Sequence, residues 1–456
     1  MERVASGRLG WASRRGARAV VRIAVFAGVG LSLWERAALA LGAGEAREDS
    51  AGPTRATTVA TGTADALGAY VVMGYNDLGM HCMNDDFSEI VVLPPFNNLH
   101  ATVIRRGVEP EIMTGDVSVR YWIPSNTESA SKTNFWRYAP ALFGVSPAPN
   151  VGLTGHGMSG TMTPTGNNDW SVTGIPITPT EDTGRENPYP LATIRVVRNG
   201  SEVARTQAVV PVSTELSCDL CHNAVGISVA TDILRRHDTL HGTGLETMKP
   251  VLCASCHSSN ALGTPGVPGV ASLSSSMHSA HAARMGPASG LASECYACHP
   301  GIRTACQRDI HLAKGMRCSE CHGSMADVGD PSRRPWIDEP RCGSCHARPG
   351  FAFEESGKLF RESRGHSGVQ CAACHGSPHA ITPTVTEVDN LQAIALQGHA
   401  GTIDTCAVCH TTPPSEGFFH RINEGDSGDA GGGVDRRVEM ARLLSASLEK
   451  ERRDAR

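Results

Sequence analysis

The chain has 456 residues, of which 40% are hydrophobic and only 5% aromatic, and its formal net charge is −5. This length allows two to four domains, and the small number of aromatic side chains limits the apolar core that they can build. Without residues 1–40, which contain seven Arg and two Glu, 34 basic residues stand against 44 acidic ones, a net charge of −10. Such an acidic chain argues against nucleic acid as a partner.

The first 40 residues have the pattern of an export signal. Basic residues, among them Arg14, Arg15 and Arg22, precede a short apolar run at 23–34, and Ala38-Leu39-Ala40 resembles a cleavage site. The run is too short for a clean membrane span, and the residues after Arg15 do not fit a twin-arginine signal. We expect a signal peptide at 1–40, export to the periplasm and a flexible linker at 41–66. An outer-membrane-associated or extracellular location is also compatible with this signal.

Residues 67–214 carry short runs of β-type sequence separated by Pro, Gly and Asn. The candidate strands are 69–75, 89–93, 99–106, 117–124, 170–177 and 192–197. Asn199-Gly200 joins residues 194–198 to 202–210, and this dipeptide favours a type I′ hairpin because both central positions need positive φ. Helix signals are weak in this region. We expect an N-terminal all-β domain, sandwich-like or barrel-like, at 67–214.

One segment of this region, residues 75–86, combines His81 and Cys82 with Met80, Met83 and nearby acidic residues. It has two readings. The pair could ligate a metal or reach a haem, or the segment is a turn with a buried Cys and a hydrogen-bonded His.

Seven Cys-x-x-Cys-His motifs follow between Cys218 and His410. Each can attach one c-type haem, because its two thiols add to the haem vinyl groups and the His becomes an iron ligand. Zinc ribbons also use Cys-x-x-Cys pairs, but they do not require His after every pair. The motifs are Cys218-Cys221-His222, Cys253-Cys256-His257, Cys295-Cys298-His299, Cys318-Cys321-His322, Cys342-Cys345-His346, Cys371-Cys374-His375 and Cys406-Cys409-His410.

The motifs therefore predict seven covalent haems in a cytochrome domain at 215–412. Seven flat apolar macrocycles would supply the core that the side chains lack, so we expect short helices, loops and little other regular structure. A flexible linker at 413–433 and a charged amphipathic helix at 434–456 follow. That helix either docks on the haem domain or a partner, or is a solvated tail. The expected fold is thus two-domain, with a β domain followed by a haem-packed domain.

A six-coordinate haem iron needs a second, distal ligand, for which His and Met are the usual donors. His237 and His241 are four residues apart and His278 and His281 three apart, so each pair shares one helical face. In each pair both members could ligate, or one ligates and the other hydrogen-bonds a propionate. The full set of candidate distal ligands is His237, His241, His278, His281, His311, His366 and His399.

Two cysteines, Cys82 and Cys306, lie outside the motifs. In an oxidising compartment, spare thiols suggest a disulfide, which would link the β domain to the haem domain. A thiolate ligand and a buried free thiol remain as alternatives.

The array at 218–410 resembles the multihaem c-type cytochromes of respiring bacteria. The β region with its segment at 75–86 resembles a region fused to such arrays in uncharacterised members. The resemblance implies electron transfer in the periplasm or at the cell surface through mostly bis-His haems. It also implies redox proteins or a quinol-linked donor as partners, with an extracellular acceptor as a further option. It carries over no catalytic residue.

Two functions follow from these patterns. The leading one is an electron carrier, because the supply of histidines matches the demand for distal ligands. The alternative is a multihaem reductase with one open haem that acts on a small nitrogen or sulfur oxyanion. A reductase would need a pocket lined by basic residues, and the sequence shows no obvious basic cluster. A third possibility, that the β domain docks a redox partner or a mineral surface, is compatible with the first.

Overall fold

The computed structural model describes residues 67–285, 291–346 and 353–415. The predicted signal peptide, the linker at 41–66, most of the linker at 413–433 and the helix at 434–456 lie outside these residues. Within the described part, no helix combines the length and the apolarity needed to cross a membrane.

The N-terminal region is built from antiparallel sheets. One sheet has the order β1-β4-β9-β8, with β5 also paired to β4, and a second has the order β11-β10-β6-β7. The strands are β1 (Tyr70–Tyr75), β2 (His81–Cys82), β3 (Ile90–Val91), β4 (Asn98–Arg105), β5 (Glu111–Ile112), β6 (Ser118–Trp122), β7 (Ser159–Thr161), β8 (Thr163–Pro164), β9 (Trp170–Thr173), β10 (Leu191–Arg198), β11 (Ser201–Val209), β12 (Val212–Ser213) and β13 (Val251–Leu252).

Both sheets contribute to one buried core. Leu99 and Val103 of β4 lie in the same apolar cluster as Tyr121 of β6 and Ile194 and Val196 of β10. Side chains two residues apart point to the same face of a strand, so alternate positions of each sheet fill this core. The predicted hairpin between β10 and β11 is present, because Asn199 and Gly200 both have positive φ, 49° and 81°.

One helix in this region had no clear signal in the sequence. Helix α1 (Phe135–Phe143) buries Phe135, Ala139 and Leu142, which are spaced four and three residues apart and so share one face. Pro140 lies inside the helix and removes one backbone donor, which weakens its sequence signature. Packing of the buried face against the β core offsets that loss.

The motif-bearing region contains short helices and few other regular elements. Its α-helices are α2 (Val229–His241), α3 (Leu273–Ala282), α4 (Ile310–Ala313), α5 (Cys318–His322), α6 (Met325–Gly329), α7 (Cys342–Cys345), α8 (Cys371–His375) and α9 (Glu387–Gln397). Its 3-10 helices span Cys218–Leu220, Leu245–Thr247, Cys253–Ser255, Glu294–Ala297, Phe360–Glu362, His366–Gly368 and Cys406–Val408.

The described residues all belong to one compact unit, in which the β sheets and the motif region pack directly together. A short parallel pair joins them, because β13 of the motif region pairs with β3 of the β region. Glu215, which is 5% exposed, adds a further link. Its carboxylate accepts hydrogen bonds from the backbone N–H groups of residues 301–304, at 2.6–3.0 Å. These bonds fix the start of the motif region to the loop after the third motif.

A buried polar network surrounds His100 of β4, a strand flanked by β1 and β9. His100 contacts Asp169 through Nδ1 at 2.7 Å and Asp77 through Nε2 at 3.3 Å, and the Tyr75 hydroxyl donates to Asp169 at 2.7 Å. Burial disfavours the charged imidazole, but the hydrogen bonds to both carboxylates raise the pKa of His100 to about 9. The folded state therefore binds this proton more tightly than the unfolded chain, where the pKa is about 6.5.

This shift predicts a pH dependence of stability. Charged His100 stabilises the fold fully below about pH 6.5, and the contribution is lost as the pH rises through about 9. We expect His100→Gln to lower the thermal midpoint at pH 6. The variant should also lose the decrease in stability that the wild-type protein shows between pH 7 and 9, a decrease of roughly 2–3 kcal/mol in the free energy of unfolding. The control is His156→Gln, whose Nδ1 contacts Thr154 and the Thr173 carbonyl. If the stability of the two variants depends on pH in the same way, His100 is not the source of the pH dependence.

Candidate functional site

Each Cys-x-x-Cys-His motif folds as a single helical turn. In five motifs the backbone N–H of the His donates to the carbonyl of the first Cys at 2.8–3.0 Å, and the other two motifs form the short helices α5 and α8. Positions i, i+3 and i+4 of a helical turn lie on the same face. The turn therefore presents both thiols and the imidazole to the same side.

Among the residues that the structure describes, six motif histidines each face a second histidine ring. The ring centroids within a pair are 6.0–6.4 Å apart. The pairs, with the motif residue first, are His222 with His281, His257 with His237, His299 with His278, His322 with His379, His346 with His311, and His410 with His366.

This separation matches the geometry of one metal ion between two imidazoles. A metal–imidazole bond is about 2 Å long and the ring centroid lies about 1 Å behind the nitrogen, so the centroids are about 6 Å apart. Two thiols stand beside each pair on the same helical turn. The residues therefore fit a covalently attached haem with two axial histidines.

The other ring nitrogen of several of these histidines is held by the protein. An acceptor on Nδ1 fixes the ring orientation and leaves Nε2 for the metal, as is usual for metal-ligating His. The acceptors are the carbonyls of Ser274 for His278 (2.7 Å), Met277 for His281 (2.6 Å), Ala271 for His257 (2.9 Å) and Val108 for His410 (3.0 Å), the Thr243 hydroxyl for His237 (2.9 Å) and the Asp309 carboxylate for His311 (3.1 Å).

Burial also favours the neutral form of three of these rings, which is the form that ligates a metal. Burial, reinforced by His379 and Arg333, lowers the pKa of His322 to about 4. Burial is likewise the largest cause that lowers the pKa values of His222 and His278.

The helices predicted from the spacings of His237/His241 and His278/His281 are present. They differ in how many of their histidines face a motif histidine. His278 and His281 of α3 face His299 and His222, so one helix serves the third and the first motif. On α2 only His237 faces a motif histidine.

Two of the seven candidate distal ligands do not face a motif histidine in the described part of the chain. His241 lies at the exposed C-terminal end of α2, with its ring 4.8 Å from that of His237. His399 lies beyond the end of α9 and its Nε2 is 3.6 Å from Asp404. Both rings therefore contact groups of their own local segments.

His379 is a ligand candidate that the sequence analysis did not select. It follows the sixth motif in Ser377-Pro378-His379, 57 positions after His322, the residue that it faces (379 − 322). Local spacing could not identify this pair. For His375 of the sixth motif, the structure describes Nδ1 at 3.5 Å from the Thr402 hydroxyl.

Thiols of different motifs lie close enough to affect each other's ionisation. Burial is the main cause that raises the pKa values of Cys253, Cys298, Cys321, Cys342 and Cys374, and a thiol of another motif adds to each shift. A hydrogen bond between Cys295 and Cys318 lowers the pKa of the first thiol and raises that of the second. The neighbouring thiols are Cys253 with Cys218, Cys298 with Cys218, Cys295 with Cys318, Cys321 with Cys345, Cys342 with Cys371, and Cys374 with Cys409.

These electrostatic neighbours arrange the motifs in one continuous order. The second motif neighbours the first, the first neighbours the third, and from the third onward each motif neighbours the next one in sequence. The second and seventh motifs are the two ends of this order, and the fourth is its middle.

A cavity of about 850 Å³ opens beside Cys321 and His322. Its lining includes four arginines, Arg333, Arg334, Arg341 and Arg361. This basic cluster is not evident in the sequence because folding brings together residues up to 28 positions apart (361 − 333). Two of the arginines are neutralised locally, Arg334 by Asp338 at 2.5 Å and Arg361 by Glu339 at 2.9 Å.

The segment at 75–86 has the character of a structured turn. Burial lowers the pKa of His81 to about 4, and its Nε2–H donates to the Pro94 carbonyl at 2.7 Å. Cys82 and Cys306 are both free thiols, which is one of the alternatives that the sequence left open. Burial, and then the Cys306 thiol, raise the pKa of Cys82, so the two cysteines are neighbours across the contact between the β region and the motif region.

Residues 326–376 match the family model of cytochrome c554 and c-prime. The matched range contains the fifth and sixth motifs. No curated protein and no solved structure matches the chain. The match supports a c-type cytochrome that carries electrons on covalently bound haem.

Proposed function

We propose that this protein is a multihaem c-type cytochrome that transfers electrons through seven covalently attached haems, most of them held by two histidines. The observation that carries the proposal is the set of six opposed histidine pairs, each with one ring from a Cys-x-x-Cys-His motif. Each haem, when bound, supplies an iron that takes up or releases one electron. The cysteines attach it, the histidines ligate it and the Nδ1 acceptors hold the rings in place.

The order of neighbouring thiols supports a single line of sites. We propose that electrons pass between the second and the seventh site in the order second, first, third, fourth, fifth, sixth, seventh. Each step joins sites whose cysteines are neighbours in the fold. Partners would then be redox proteins, a quinol-linked donor or an extracellular acceptor that reaches one end. The export pattern at 1–40 supports a periplasmic location, with a position at the outer membrane or outside the cell as the alternative.

The arginine-lined cavity is the feature that a reductase of small oxyanions would need. However, His379 faces His322 there at a centroid separation of 6.0 Å, so a ring already stands where a substrate would meet the iron. Arginine also suits the propionate groups of a haem, since it pairs with carboxylates in bidentate geometry. We therefore favour electron transfer over catalysis at this site.

The spin state of the oxidised protein tests this function. Six-coordinate bis-His haem is low-spin, so we expect a low-spin spectrum for the wild-type protein. His281→Ala should convert one haem to the high-spin form, because His281 faces His222. His241→Ala is the control, because His241 does not face a motif histidine in the described residues. A substantial high-spin signal in the wild-type protein would favour the reductase.

A further inference from the structure

We propose that Cys306 and the turn at residues 76–80 of the β region hold His379, the distal ligand of the fourth site, and thereby lower the reduction potential of that site. The inference rests on the proposed function, because it requires haem at the fourth motif. It gives the β region a defined role, which is to build the surroundings of one haem ligand.

The first observation is the acceptor on His379. Cys306 Sγ lies 3.8 Å from His379 Nδ1, within the reach of a hydrogen bond to sulfur. The backbone N–H of Met80 also faces this sulfur and contributes to a lowered pKa of the Cys306 thiol. Most other described ligand rings donate to a backbone carbonyl or to side-chain oxygen, so sulfur distinguishes this ligand from them.

The second observation is the backbone around His379. Its φ is 60°, a region that non-glycine residues rarely adopt, so neighbouring contacts must hold it there. The N–H of Arg308 donates to the His379 carbonyl at 2.9 Å. The N–H of Asn76 donates to Ser377 Oγ at 3.0 Å, two residues before the ligand.

Gly79 brings the β region into direct contact with the ligand. A Cβ atom at this position would lie 3.3 Å from the Pro378 carbonyl oxygen and 3.6 Å from His379 Nδ1. The φ of Gly79 is 73°, which only glycine adopts readily. The turn can therefore pack this closely only with glycine at residue 79.

An acceptor on Nδ1 makes an imidazole more basic toward the metal, and a more basic ligand stabilises the oxidised iron. Removing the acceptor should therefore raise the potential. The fourth site is the middle of the proposed order, so its potential affects every electron that passes between the two ends.

The test uses the haem-loaded full-length protein. In Cys306→Ala, the reduction potential of one haem should rise by about 59 mV, which corresponds to a change of about tenfold in the equilibrium constant of a one-electron couple. One low-spin signal in the electron paramagnetic resonance spectrum should shift with it. The control is Cys82→Ala, which removes the neighbouring thiol and keeps the contact with His379. Equal shifts in both variants, or no shift in Cys306→Ala, would overturn the proposal.

A second pair of variants tests the turn. Gly79→Ala should alter the same low-spin signal, because its methyl group would crowd the carbonyl of Pro378, the residue before the ligand, and because alanine disfavours the positive φ of this turn. Gly184→Ala is the matched control, since Gly184 has a φ of 80° and no neighbouring atom within 4 Å of an added Cβ. If both variants leave the spectrum unchanged, the turn does not hold the ligand. If the wild-type protein carries no haem at the fourth motif, the proposed function itself is refuted. Counting the haems of the wild-type protein therefore distinguishes a failure of the proposed function from a failure of this inference.

Discussion

Replacing Cys318 and Cys321 with alanine is expected to divide the array into two groups of three sites that no longer exchange electrons quickly. The fourth motif is the middle of the order of electrostatically neighbouring thiols, between Cys295 on one side and Cys345 on the other. Electron transfer slows steeply as the separation between sites grows. Loss of the central haem should therefore slow electron transfer between the two halves of the array. Loss of an end haem should only shorten the array by one site.

Voltammetry of the protein adsorbed on an electrode measures this effect. In the wild-type protein all haems should respond together at slow and fast scan rates. In the Cys318→Ala/Cys321→Ala variant about half of the remaining haems should stop responding at fast scan rates. The control is Cys253→Ala/Cys256→Ala, which removes the end site of the second motif and should leave six haems that respond as one group. Identical behaviour of the two variants would refute the proposed order.

Replacing Arg308 with methionine is expected to destabilise the fold by about 3–5 kcal/mol, because it leaves a buried carboxylate without its partner. Arg308 is fully buried and donates to both oxygens of Asp389, at 2.6 and 2.9 Å. Its guanidinium also lies 5.0 Å from the Tyr189 ring. The pair thus joins the β region, the segment before α4 and the first turn of α9.

Denaturant unfolding of the haem-loaded protein measures the free-energy change. The double variant Arg308→Met/Asp389→Leu should be more stable than Arg308→Met alone, since it removes the uncompensated charge. Arg205→Met is the control, because Arg205 makes an equally bidentate pair with Glu202 on the surface, at 2.8 Å. Surface pairs contribute about 0–1 kcal/mol. Equal losses for Arg308→Met and Arg205→Met would contradict the role of burial.

Features that depend on neighbouring residues could be predicted from the sequence. The type I′ hairpin follows from Asn199-Gly200, because its φ requirement is local. The helices that carry His237, His278 and His281 follow from the spacing of the histidines and their apolar neighbours. The β character of residues 67–214 follows from short alternating runs.

Features that depend on tertiary packing could not be predicted. His379 faces His322 across 57 positions of the chain, and its Nδ1 contacts Cys306 of another segment. His241 has the right spacing from His237, yet it lies at the exposed end of α2. The order of the motifs departs from the chain order at the first three because α3 lies between the first and third motifs. No local pattern encodes these long-range contacts.

If every Cys-x-x-Cys-His motif carries a covalent haem, the intact mass of the purified protein will reveal it. We expect a mass that exceeds that of the polypeptide by seven haem groups and that persists under denaturing conditions. The mass of the bare polypeptide, or an excess of fewer than seven haems, would contradict it.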